Sequence, residues 1–196
     1  MVRLKCYHGT SIEFAEAIVR ENRFLPGSKE GLRLGDGAYF FEQIGDSSYA
    51  QECARDLEKY HFKKGKHTNG YAIISCTVEC KDDEFLNLFD PITIELFHRI
   101  RYAVYDRAKK SDPNYQFVDA AHADTMTVKE IKKHRNVSVI RSPEFFGMFA
   151  REAGIMMSGR RKYPKTFVPN IILVCADVET AKISNIQIVE RGTFDD

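Results

Sequence analysis

The sequence predicts an α+β fold in a single domain spanning residues 1–196, and three observations carry that expectation. Segments of strand and helix periodicity follow one another without the regular βαβ alternation of a doubly wound sheet. The chain has 196 residues and 43% hydrophobic content, enough for one sizeable core. No repeat, low-complexity tract or Pro/Gly/Ser-rich linker divides it.

In chain order, residues 4–8 read as a short strand stopped by Gly9-Thr10. Ser11 is placed to cap a helix running to about Asn22, with Glu13 and Glu16 near its positive end and Phe14, Ala15, Ile18 and Val19 on one face. Pro26, Gly27 and Gly31 mark a loop, and Gly35 and Gly37 bracket a tight turn into a strand at 38–42. Asp46-Ser47-Ser48 opens a second helix, roughly 48–60, followed by the basic loop 63–67. Residues 71–78 form the clearest strand, rich in β-branched and aromatic side chains. Helical spacing of Ile92, Leu96, Ile100, Val104 and Ala108 predicts a helix over 91–110, and another helix spans 125–134. Strands follow at 137–140, 171–175 and 186–189.

Charge and cysteine usage narrow the classes. Lys plus Arg number 29 against 28 Asp plus Glu, a net charge of +1, so the whole chain lacks the basic excess typical of nucleic-acid binders, although local clusters can still serve. No run approaches the ~20 apolar residues of a membrane span, and the first residues lack the apolar region of a secretory signal. Five cysteines without a C-x-x-C pair read as reduced, buried thiols of a cytoplasmic protein. Cys76 and Cys80, about 13 Å apart along one strand, cannot share a metal ion, and none is expected.

Two segments carry the chemistry. Tyr7-His8-Gly9-Thr10 ends the first strand, and Leu34-Gly35-Asp36-Gly37-Ala38-Tyr39-Phe40-Phe41 precedes Ser47-Ser48-Tyr49-Ala50 at a helix start. Taken singly, each is an ordinary turn packing core aromatics. Together and in this order they resemble the diphtheria-toxin-like and poly(ADP-ribose)-polymerase-like branch of the ADP-ribosyltransferases. The resemblance is strongest over residues 4–54, weaker over 71–88 and thin beyond.

The resemblance implies a split mixed sheet with flanking helices and NAD as co-substrate. It places Tyr39 and Tyr49 on either side of the cationic nicotinamide, a flat ring that aromatic faces attract. Gly9 would let backbone groups reach the carboxamide, His8 would bond a ribose hydroxyl, and Thr10 would touch the adenosine side. Phe40 and Phe41 read as core. The branch commonly carries a carboxylate at the start of a late strand, where this chain has Asn170, with Gln187 and Glu190 as alternatives. An Asn orients a hydroxyl but is no base, which argues against polymer elongation.

Phe145 to Val168 precedes that strand and includes Arg160, Arg161, Lys162 and Tyr163, residue types that neutralise phosphates and stack on bases. The plain alternative is a solvated loop. The expectation is therefore a mono-ADP-ribosyltransferase acting on a macromolecular acceptor, with RNA or DNA favoured over protein. A bacterial or phage toxin or defence effector, with an antitoxin or inhibitor as partner, is the setting the resemblance suggests. Two alternatives stand beside it: a degenerate module that binds NAD or ADP-ribose, and an NAD glycohydrolase.

Overall fold

The computed structural model describes residues 1–27, 33–63, 65, 70–144 and 171–194. Its elements are β1 (Val2–Ser11), α1 (Ile12–Glu21), β2 (Ala38–Glu42), α2 (Tyr49–Lys63), β3 (Tyr71–Cys80), β4 (Phe85–Asn87), α3 (Pro91–Ser111), α4 (Ala120–His134), β5 (Val139–Glu144), β6 (Ile171–Ala176) and β7 (Lys182–Gly192). All seven strands join one mixed sheet in the order β4-β5-β6-β2-β1-β3-β7, so the chain is α+β as its sequence predicts. Only β4 and β5 run parallel; the other neighbours are antiparallel.

The alternation of side chains along each strand gives the sheet two apolar faces. Tyr7, Phe41, Ile73, Leu173 and Cys175 pack beneath Ala50, Cys53 and Ala54 of α2, Phe97 of α3, and Val128 and Ile131 of α4. Cys6, Phe40, Ile74, Cys76 and Val174 line the other face, covered by Ala15 of α1 and by Phe24. Phe40 and Phe41 are both buried, one on each face. Each such large side chain contributes about 1.5–3 kcal/mol on leaving water.

The central pair of strands separates. β1 pairs with β3 along its whole length, from Val2↔Cys80 to Ser11↔Tyr71. With β2 its register covers Cys6↔Glu42 and Tyr7↔Phe41. Beyond Tyr7 the two strands part, and β2 continues its pairing with β6 through Tyr39↔Cys175 to Ala38↔Ala176. His8 and Gly9 thus stand where the sheet opens.

The helix boundaries follow local chemistry. Ser11 Oγ accepts from Phe14 N and caps α1, whose far end closes on Asn22 in the left-handed conformation. Asp90 caps α3 by accepting from Thr93 N, with Pro91 at the first helical position. Asp119 accepts from His122 N and starts α4 five residues before the sequence pattern places it.

Several side chains turn differently from the periodicity. In α1, Phe14 is exposed, and the buried stripe runs through Ile12, Ala15 and Ile18. In α3, Ile92 and Leu96 face solvent while Phe97, Ile100 and Val104 turn inward. β4 is a three-residue strand whose partner β5 is distant in sequence, so no local pattern marks it. The five cysteines are free and buried. Among the described residues, no helix is long and apolar enough to cross a membrane.

Candidate functional site

His8 sits at the point where β1 leaves β2. Its Nδ1 lies 2.8 Å from the backbone carbonyl oxygen of Tyr39. A carbonyl can only accept, so Nδ1 carries the proton and, in the neutral ring, Nε2 is left as an acceptor. Burial lowers the imidazole pKa, the Tyr39 contact and the nearby Glu58 charge partly oppose this, and the ring rests neutral. Phe24 and Phe40 meet the ring edge-on at 5.4 and 5.8 Å, fixing its plane. The tautomer and the orientation are therefore both set by the protein.

Gly9, the next residue, faces α2. A Cβ there would lie 2.5 Å from the Ala54 carbonyl oxygen and 2.7 Å from Glu58 Cγ. The glycine is needed for α2 to close on β1, a reason the motif alone does not reveal. Glu58 itself is buried, with His61 Nδ1 3.2 Å from its Oε1. Neither residue stands out in the sequence, although their three-residue spacing on a helix could have paired them. Thr10 is buried two residues on from His8, on the same face of β1.

Tyr39 is held from both ends. Its hydroxyl donates to Gly35 O at 2.7 Å and accepts from Leu34 N at 3.0 Å, while its ring packs on the core beneath α2. Burial pushes the phenol pKa well up, so the hydroxyl stays protonated. Gly37 permits this turn, since a Cβ there would meet Ala176 O and Cys175 Sγ at 2.7 Å. Tyr49, at the first turn of α2, is 38% exposed and shares a hydrogen bond with the Cys53 thiol. Burial raises its pKa to about 12. By strand alternation the His8 ring lies on the α1 side, with Phe40, and the Tyr39 ring on the α2 side, with Phe41. The structure thus joins His8 to the backbone of Tyr39 rather than to its ring.

The loop before Tyr39 is tied to the distant helices. Asp124 of α4, buried, receives Arg33 Nε at 2.5 Å and also pairs with Arg101 of α3. Sequence separation of 91 residues between Arg33 and Asp124 hides this contact from any local pattern.

Of the candidates for the third position, Asn170 lies outside the described residues, as do Arg160, Arg161, Lys162 and Tyr163. Gln187 is exposed on β7 opposite Ser75. Glu190 is fully engaged: Arg55 grips both its oxygens, at 2.5 and 2.7 Å, Gln51 Nε2 donates at 2.8 Å, and Tyr71 Oη at 3.1 Å. These donors, Arg55 foremost, hold its pKa down at about 2. Glu190 therefore works as a strut between α2 and the sheet edge. Among the described residues, no group of three or more His, Cys, Asp or Glu gathers as a metal site.

Comparison with known proteins adds one relationship. The chain is 31% identical over 87 residues to an uncharacterized protein of Methanocaldococcus jannaschii, a stretch covering 44% of this chain and 38% of that protein. The matched stretch thus spans well under half the relative's length. No family model and no solved structure matches the chain.

Proposed function

We propose that the chain is an NAD-dependent mono-ADP-ribosyltransferase with His8 at its centre. The observation that carries this reading is the neutral His8 ring, its Nδ1–H spent on the Tyr39 carbonyl at the opening between β1 and β2. Its Nε2 is left to accept from a hydroxyl, which is what a ribose presents. The peptide groups of β1 and β2 that no longer pair with each other beyond Tyr7 and Phe41 offer donors and acceptors of the kind a carboxamide uses. Tyr39 supplies a ring fixed at its hydroxyl end, and Tyr49 a half-open ring on the adjoining helix.

In the reaction, the bond between the ribose anomeric carbon and the nicotinamide nitrogen breaks. Its electron pair leaves with neutral nicotinamide, and a nucleophile of the acceptor forms the new bond to that carbon, giving up its proton. The side chains described here act by orienting the ribose and excluding water. The firm engagement of Glu190 by Arg55 removes it as a charge facing the ribosyl cation. That observation favours slow turnover, and it supports the second reading, a module that binds NAD or ADP-ribose without transfer.

The test is incubation of labelled NAD with cell extract, separated afterwards into protein, RNA and DNA. Label in a nucleic-acid fraction for the wild type but not for His8→Ala is the expected result. Nicotinamide release without label in any fraction would make the chain a glycohydrolase. NAD binding with neither release nor label would make it a binding module.

A further inference from the structure

Five cysteines lie free and buried in the core, and strand register sets two of them apart. Cys6 of β1 stands directly opposite Cys76 of β3, and both side chains belong to the face covered by α1. Among the described residues no other cysteine has one opposite it: Cys80 faces Val2, Cys175 faces Tyr39 and Ile140, and Cys53 is on α2. We propose that Cys6 and Cys76 are a redox-responsive dithiol, which peroxide closes into a disulfide that clamps β1 to β3 beside His8. Such a switch is independent of whether the chain transfers ADP-ribose.

Backbone geometry places the pair within reach. Lys5 O accepts from Gln43 N at 2.8 Å, so the peptide groups of Lys5 point to β2 and those of Cys6, by alternation, point to β3. Cys6↔Cys76 is therefore a hydrogen-bonded antiparallel pair, with Cα atoms about 5.5 Å apart. That spacing falls inside the range in which disulfides form, about 4.4–6.8 Å. Cβ atoms of directly opposed residues start about 4.5–5.5 Å apart and must close to about 3.8 Å, a movement of roughly 1 Å. A bond closed against such a misfit is readily reduced, so the link is reversible.

The surroundings keep the thiols reduced at rest and suit the oxidised product. Burial pushes both thiols up, Cys6 well above its ordinary value and Cys76 to about 12. Cys76 and Glu42 further oppose ionisation of Cys6. Protonated thiols react slowly, so oxidation proceeds when β1 and β3 part locally. One thiolate attacks an oxygen of hydrogen peroxide, giving a sulfenic acid and releasing hydroxide. The second sulfur, its proton lost, attacks the sulfenic sulfur and expels a second hydroxide. The two released protons combine with the two hydroxides, so two thiols and one peroxide yield one disulfide and two waters. The disulfide carries no charge, and it sits in the apolar layer of Phe40, Ile74 and Val174 without burying a polar group.

The link would reach the opening of the sheet. Cys6 precedes Tyr7, the last residue of β1 in register with β2, and His8 follows. Drawing Cys6 toward β3 pulls β1 away from β2 at the root of the opening, which the contact of His8 Nδ1 with the Tyr39 carbonyl spans. Oxidation is expected to lengthen that contact.

The test is treatment of the folded full chain with hydrogen peroxide, then denaturation in iodoacetamide, tryptic digestion and mass spectrometry without reduction. Alkylated cysteines are expected to fall from five to three, with fragment 6–20 joined to fragment 67–81. Because Cys76 and Cys80 share the second fragment, the link should persist in Cys80→Ala and vanish in Cys76→Ala and in Cys6→Ala. The wild-type map stands by itself should a variant fail to fold. Dithiothreitol should restore all five thiols. Five alkylated cysteines after peroxide, single oxidations without a link, or a link through any other cysteine overturns the dithiol, as does a link formed only in denaturant. The His8 ring resonance, followed by NMR, should shift on oxidation of the wild type and stay in place in Cys76→Ala. A formed link with an unmoved resonance overturns the clamp on His8. Nicotinamide release is read separately: a chain that forms the link and never releases nicotinamide keeps the switch and sinks the transferase.

Discussion

At the scale of single residues, the site turns on two neighbours that face opposite ways. His8 commits its Nδ1 proton to a carbonyl, so protonation of Nε2 removes its only acceptor. Its folded pKa is lowered by burial, below the ordinary value of about 6.5. Turnover should therefore be independent of pH above that value and fall in acid as the imidazole charges, in the limb of a pH–kcat/KM profile that His8→Gln abolishes. The same sign holds for stability: the unfolded chain takes up this proton first, so the contribution is full above about pH 6.5 and shrinks below it. Gly9 carries the other constraint. Gly9→Ala drives a methyl group into the Ala54 carbonyl, and overpacking of this kind costs about 1–3 kcal/mol. Thermal melting should show a fall of roughly 2–4 °C for each kcal/mol. A melting temperature equal to that of the wild type would show that α2 does not sit where it is described.

At the scale of elements, α2 is what joins the two halves of the site, and it is pinned at the sheet edge by Glu190. Replacing Glu190 with Gln leaves Arg55 facing a neutral amide in a half-buried setting. A charge-assisted pair there, discounted for solvent screening, is worth about 1–2 kcal/mol. With its folded pKa near 2, Glu190 contributes stability that is present above the unfolded value of about 4.3 and is lost as pH falls toward 2. Acid unfolding monitored by circular dichroism should accordingly be less steep between these values in Glu190→Gln. The elements themselves were largely legible. Ser11 and the run 71–78 marked their helix and strand, because caps and β-branched runs act locally. β4 escaped because a short strand depends on a partner more than 50 residues away, and Ile92 and Leu96 misled because helical spacing defines a stripe without saying which side is covered.

At the scale of the whole molecule, the parting of β1 from β2 creates the opening, and the α3–α4 pair overhangs the loop that fixes Tyr39. His8 and Tyr39 were legible as motif residues, yet the bond between the His8 ring and the Tyr39 backbone was not, since it depends on strand register. The Arg33–Asp124–Arg101 group was invisible for the same reason: its members come together only when the helices pack. Arg33→Ala should loosen the loop and lower the occupancy of the Tyr39 hydrogen bonds, reducing affinity for NAD several-fold in calorimetric titration. It should also lower the melting temperature, because buried Asp124 loses one of its two arginine partners. The most direct measurement of the central claim is nicotinamide released from NAD by the purified chain in cell extract, wild type against His8→Ala. Loss of the positioning group predicts release by the wild type and a drop of roughly 100-fold in the variant, with both proteins folded. Equal rates in the two, or no release from the folded wild type, would contradict the account.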